Sequence, residues 1–197
     1  MPYDRKDKFY QKAKKEGFVA RSAYKLMEMD KRWGILKPKA RIVDLGCAPG
    51  GWLQVAEKKG VQKLVGIDLL PLQYKPGKGV TFIQGDFLDP ANQQKVKTAL
   101  AGEADWVLSD LSPNLTGIKF ADIGQSLELS KAVLAFAQSI LKNGGGLVLK
   151  IFPGEEMGQF RKELAALFQK NSTFVPEATR NTSNEIYLVS VGFCSRG

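Results

Sequence analysis

A lysine inside an apolar run is the residue of this chain most in need of a chemical reason. Lys150 interrupts Leu147-Val148-Leu149 and Ile151-Phe152, a run of the kind that forms a strand buried on both faces. An ammonium there requires a partner or a task, because burying it unpaired is costly; the plain alternative is a lysine snorkelling from the strand end. A second candidate is Asp110, which closes an apolar strand and passes into Leu111-Ser112-Pro113, a stiff loop suited to holding a nucleotide. Three more carboxylates, Asp44, Asp68 and Asp86, follow apolar runs in succession. One such acid is ordinarily a turn or a helix cap. Three in a row along one sheet edge point to a ligand.

The ligand is indicated by the residues after Asp44, which read DLGCAPGGW. Gly46, Ala48, Gly50 and Gly51 carry little or no side chain, so a ligand can approach the main chain and the free N–H groups of the helix that follows. The spacing is neither G-x-G-x-x-G nor the P-loop, which ends in Gly-Lys-Ser/Thr. A nucleoside cofactor without phosphates fits better. Asp68 stands about twenty residues beyond the turn, where a carboxylate accepts hydrogen bonds from ribose hydroxyls. Asp86 and Phe87 are expected to take an adenine by its amino group and its face, and Trp52 either completes the turn or enters the core.

These residues need a scaffold that brings strand ends together. Apolar runs over 41–45, 64–67, 80–83, 106–109 and 147–152 alternate with helical patterns over 51–59, 92–100 and 123–141, the last expected to stop at Asn143-Gly144-Gly145-Gly146. A helix over 20–33 precedes them. A helix over 157–169, a short run at 174–175 and a strand over 186–193 follow. Such alternation implies an α/β fold with a mostly parallel sheet, helices on both faces and ligands at the carboxyl ends of the strands.

Composition bounds the rest. At 197 residues and 44% hydrophobic content, one core is expected, with residues 17–197 as a single domain and 1–16 as a basic, mobile arm. No apolar run is long enough to span a membrane, and no signal peptide is visible, so a soluble, cytoplasmic protein is expected. Two cysteines and no histidine make a disulfide-linked partner or a metal site improbable. Residues 1–41 hold 13 Lys/Arg against 5 Asp/Glu, a balance of +8, whereas the other 156 hold 16 against 15. A basic segment on a nearly neutral domain calls for a polyanion. Tyr3, Phe9, Tyr10 and Phe18 interleave aromatics that could stack on unpaired bases, so RNA is the expected partner.

The motifs ARSAYKL (20–26), DLGCAPGGW (44–52), SDLSPN (109–114), LVLKIFPG (147–154) and SNEIYLV (183–189) together resemble the FtsJ/RrmJ family of ribose 2′-O-methyltransferases. The resemblance covers about residues 18–193. It implies a Rossmann-like fold of seven strands, the last antiparallel, with S-adenosylmethionine as cofactor, bound by Gly46, Gly50, Gly51, Trp52, Asp68, Asp86, Phe87 and Asp110. It also implies a catalytic tetrad of Lys25, Asp110, Lys150 and Glu185. Lys25 and Glu185 are raised by the family motif alone; by themselves they would be a helix-surface charge and a strand start.

In that tetrad Lys150 is the expected base. Lys25 would orient the ribose and stabilise negative charge, Asp110 would hold Lys150 and the methyl-bearing end of the cofactor, and Glu185 would position Lys25 or the hydroxyl. Arg21, one turn before Lys25, could contact a phosphate. The implied substrate is a uridine of large-subunit ribosomal RNA, modified by a monomer. The alternatives are a transfer RNA ribose 2′-O-methyltransferase, a non-catalytic RNA-binding assembly factor, and a small-molecule or amino-group methyltransferase.

Overall fold

The computed structural model describes residues 8–180 and 183–195. Thirteen elements follow in chain order: α1 (Lys8–Lys15), α2 (Ala23–Trp33), β1 (Arg41–Leu45), α3 (Gly51–Lys58), β2 (Lys63–Asp68), β3 (Val80–Gln84) and α4 (Pro90–Leu100) come first. Then come β4 (Ala104–Ser109), α5 (Lys119–Gln138), β5 (Leu141–Ile151), α6 (Met157–Leu167), β6 (Phe168–Phe174) and β7 (Ile186–Phe193). The strands form one sheet in the order β3-β2-β1-β4-β5-β7-β6. Pairings from β3 to β5 are parallel, and β7 runs antiparallel to both β5 and β6. The seven-stranded, mostly parallel α/β architecture expected from the sequence is therefore the one observed.

Side chains alternate across a strand, so each strand feeds two cores. Val43, Leu45, Val107, Leu147 and Leu149 pack on the side of Val96, Phe136 and Phe160, from α4, α5 and α6. Ile42, Trp106, Leu108, Val148, Tyr187 and Val189 pack on the other side, with Leu26, Met29 and Leu53 from α2 and α3. Extending that period past the strand ends puts Asp110 in line with Leu108, Lys150 with Val148 and Glu185 with Tyr187. All of these share the face covered by α2, the helix that carries Lys25. The strand order reverses between β1 and β4, whose carboxyl ends open the crevice where ligands of such sheets bind.

Several expected elements are placed differently. Within the expected N-terminal arm, Lys8–Lys15 form α1 with Ala13 buried, while residues 1–7, Tyr3 included, lie outside the described residues. Phe9 and Phe18 pack on the domain, Phe9 half-buried. Both rings pack on Tyr24, at 5.6 and 6.1 Å between centroids, and Phe18 is buried. Asn143-Gly144-Gly145-Gly146 does not end a helix; α5 stops at Gln138 and β5 already begins at Leu141. The glycines lie instead at a shift of register, where Ala104 faces Leu141 but Trp106 faces Gly146. A Cβ on Gly146 would lie 2.4 Å from the Trp106 ring, so the indole requires glycine there. Gln169 belongs to β6 rather than to α6, since the chain turns extended directly after Leu167.

Candidate active site

A cleft of about 510 Å³ opens at the carboxyl ends of β1, β2, β3 and β4. The strand ends are tied to one another by main-chain hydrogen bonds, Gly46 N–H to Ile67 O at 2.9 Å, Gly85 N–H to Asp68 O at 2.9 Å and Asp110 N–H to Leu45 O at 3.2 Å. Asp68 accepts from Ala48 N–H at 2.8 Å and Leu70 N–H at 2.9 Å. A carboxylate has about four lone-pair sites, so Asp68 keeps capacity for ribose hydroxyls. Asp86 is exposed at the rim and accepts from Leu88 N–H at 2.8 Å.

The electrostatics of the cleft select the charge of its guest. Gly46, Asp68, Asp86 and Asp110 line it, and among the described residues no lysine or arginine does. Two residues before Gly46, Asp44 is buried, and neither carboxylate oxygen has a hydrogen-bond partner among the described residues. Burial, and then the charges of Asp110 and Asp68, push the Asp44 carboxyl well above the usual carboxylate range. Phosphates would be repelled here. A phosphate-free cofactor that carries an ammonium and a sulfonium, as S-adenosylmethionine does, supplies the missing positive charge, so the residues fit it.

Two of the expected cofactor residues are also packed into the interior. Trp52 is core: only 4% exposed, it donates from Nε1 to Ser22 O at 2.9 Å and its ring lies 6.0 Å from that of Tyr187. Phe87 borders the cleft, and its ring is buried edge-on against Phe136 at 5.4 Å. Exposed apolar surface in the cleft comes from Leu69, Leu70 and Leu88, which are 65, 66 and 53% exposed. Two adjacent leucines directly after a strand-end aspartate were the overlooked signal. Gly50 and Gly51 leave no room for a side chain. Gly50 has φ +116° and a Cβ there would lie 2.4 Å from the Tyr74 ring, while a Cβ on Gly51 would meet Ala20 and Ser22 at 3.2 Å.

Lys25, Asp110, Lys150 and Glu185, scattered over 160 residues, are brought into one network. Lys150 Nζ donates to Asp110 O at 2.7 Å and lies 3.2 Å from Asp110 Oδ1. Lys25 Nζ donates to Glu185 Oε1 and, at 3.1 Å, to the hydroxyl of Tyr187. That hydroxyl in turn donates to Asp110 Oδ1 at 2.6 Å. Tyr187 therefore joins the two ion pairs, and the sequence reading missed it. Its position two residues after Glu185, on the same strand face, was the available signal.

Burial alone would raise the Asp110 carboxyl. The ammonium groups of Lys150 and Lys25, with the Tyr187 hydroxyl, outweigh it and hold the group below the usual carboxylate range. Burial and the charges of Asp110 and Glu185 push the Tyr187 phenol well up, so it stays a hydroxyl and a donor. Arg21, expected at a phosphate, donates to Ala178 O.

Known proteins resemble this chain in sequence and in fold. The model of the FtsJ-like methyltransferases matches residues 18–193. The chain is 41% identical over 189 residues to the ribosomal RNA large subunit methyltransferase E of Methanothrix thermoacetophila, covering 96% of this chain and 73% of that protein. It is 42% identical over 194 residues to the protein of that name from Desulfatibacillum aliphaticivorans, covering 98% and 92%. A solved Plasmodium falciparum structure, described as a ribosomal RNA methyltransferase, superposes with a TM-score of 0.78 at 31% identity, covering 91% of this chain and 100% of that one. With a seven-stranded sheet whose last strand is antiparallel, a cleft charged for S-adenosylmethionine and a family match over most of its length, the chain belongs to the FtsJ-like methyltransferases, enzymes that use that cofactor.

Proposed function

We propose that the enzyme methylates a ribose 2′-hydroxyl of RNA, in large-subunit ribosomal RNA, and that the tetrad performs the transfer. The observation that carries this is the continuous network from Glu185 through Lys25, Tyr187 and Asp110 to Lys150, set beside a cleft suited to a cationic cofactor. The names of the relatives support the ribosomal target.

S-adenosylmethionine supplies, when bound, a methyl group on a sulfonium that leaves as a neutral thioether. A 2′-hydroxyl is a poor nucleophile until its proton leaves. Lys150 Nζ, once it has released its own proton to water, takes the hydroxyl proton as the oxygen closes on the methyl carbon, and later yields that proton to water. Lys25, fixed by Glu185 and Tyr187, holds the ribose and stabilises the charge developing on oxygen. Asp110 orients Lys150 through its main-chain carbonyl and its carboxylate. No covalent intermediate with the chain is needed, so alignment and electrostatics supply most of the acceleration.

The test is transfer of labelled methyl to undermodified ribosomal subunits, total ribosomal RNA and transfer RNA. Label is expected as 2′-O-methylribose in large-subunit RNA. Label confined to transfer RNA would move the substrate assignment, and cofactor binding without transfer to any RNA would favour an assembly factor.

Asp44, next to the cleft residues Asp68 and Asp110 in charge if not in lining, is assigned to the cofactor ammonium. Its carboxyl binds a proton more tightly folded than unfolded, so its contribution to stability is present below the ordinary Asp range and is lost as pH rises toward the raised folded value. At neutral pH the group opposes folding of the cofactor-free protein. Asp44→Asn is therefore expected to raise the melting temperature without cofactor by at least about 2 °C, the shift of roughly 1 kcal/mol in a domain of this size. The same change weakens cofactor binding roughly 10–100-fold by removing a hydrogen bond to a charged group. Calorimetric titration and thermal melts check both, and a variant that binds as tightly as wild type would remove Asp44 from the site.

A further inference from the structure

A second recess, of about 310 Å³, lies where the three strand-end segments that carry Asp110, Lys150 and Glu185 continue outward. Leu115 follows Asp110 along its loop, Phe152 and Pro153 come just after Lys150, and Ser183 and Asn184 immediately precede Glu185. Chain continuity thus sets the recess beside the tetrad, on a different wall from the cofactor cleft.

The recess is held in shape by specific contacts. Asp122 Oδ1 accepts from Thr116 N–H at 2.7 Å and from Thr116 Oγ1 at 2.8 Å, pinning the loop that carries Leu115. Phe152 N–H donates to Ser126 Oγ at 3.0 Å, anchoring the end of β5 to α5. Ile123 closes the wall against Gly154, where a Cβ would lie 2.4 Å from Ile123 Cγ2. Leu115, at 63% exposure, contributes an apolar side chain to this recess that the core does not use.

We propose that this recess takes the base of the nucleotide whose ribose is methylated, an inference that rests on RNA being the substrate. Its volume sits at the low end of ligand pockets, roughly 300–1,000 Å³, which suits one heterocycle rather than a length of chain. Leu115, Ile123, Phe152 and Pro153 offer apolar surface for the ring faces. One basic side chain, Lys119, and one acidic side chain, Asp122, line it, so the charges balance and a neutral base is favoured over a phosphate. Asn184 brings a donor and an acceptor on one amide, the complement of a base edge. The ribose of a base seated here would face the tetrad.

The test compares wild type, Leu115→Ala, Asn184→Ala and Asn184→Asp on a ribosomal RNA fragment that contains the acceptor nucleotide. A second fragment carries a photoactivatable base at that position. Burying a leucine side chain contributes roughly 1.5–3 kcal/mol, so Leu115→Ala is expected to raise the KM for RNA about 10–100-fold while the cofactor Kd stays within twofold. Asn184→Asp is expected to change the relative rates on fragments with different acceptor bases, which a merely structural role would not do. Wild type should crosslink through segments 115–123 or 152–153; this readout needs no variant to fold. Wild-type KM values together with crosslinks elsewhere would overturn the base pocket alone. No transfer by wild type to any RNA would overturn the substrate reading, and the pocket with it.

Discussion

Lys150→Met is expected to lower single-turnover methyl transfer by about 10²–10⁴-fold, the usual contribution of a positioned general base, with cofactor affinity little changed. Lys150 lies between Leu149 and Ile151, each 1% exposed, so an unbranched apolar side chain of similar length can occupy its place. Asp110 keeps the Tyr187 hydroxyl as a donor, and Lys25 remains nearby as a cation. The cofactor cleft does not include Lys150 among its lining residues, so binding there should persist. Lys150→Arg separates two roles. A guanidinium keeps its charge but cannot give up its proton in a protein, so a base is lost whereas a purely electrostatic group survives. Single-turnover rates measured with matched melting temperatures decide it; an active Lys150→Arg enzyme would make Lys150 a positioning cation and move the base elsewhere.

The residues that carry this argument differ in how legible they were. Lys150 stood out because an ammonium conflicts with the buried strand around it, and local conflict is visible in sequence. Lys25 and Glu185 offered no such conflict; only the family motif pointed to them, and they meet across 160 residues because α2 covers the strand face that presents Asp110 and Tyr187. The alternation of strands and helices was readable from periodicity, as was the cleft at their carboxyl ends.

What failed to be legible was the direction of single side chains. Phe87 and Trp52 both sit beside ligand-type turns, yet one packs on Phe136 and the other beneath α2, because large rings at strand ends gain more from a core than from a rim. The glycine run 144–146 reads locally as a helix stop; a neighbouring strand's Trp106 decides its use, and that contact is not local. The short helix α1 was hidden by its lysines, since one buried alanine and one packed phenylalanine are too little apolar pattern to announce it.

Asp110→Asn is expected to lose most activity and, unlike Lys150→Met, to unfold more easily. The Asp110 carboxylate is the one negative group between Lys150 and the Tyr187–Lys25 arm, and its side chain is 20% exposed against 10% for Lys150. Removing one partner of a buried ion pair typically costs about 3–5 kcal/mol, which corresponds to roughly 6–20 °C of melting temperature at about 2–4 °C per kcal/mol. The sign of the pH dependence follows from the lowered Asp110 carboxyl. Its stabilising contribution is complete above the unfolded value of roughly 3.9 and is lost as pH falls from there through the lower folded value. Wild type and Asp110→Asn should therefore differ most at neutral pH, and the gap should narrow below about pH 4. Urea unfolding across that range measures the gap directly. A constant difference at every pH would mean that the variant acts through packing, and that the carboxylate charge does not hold the two lysines together.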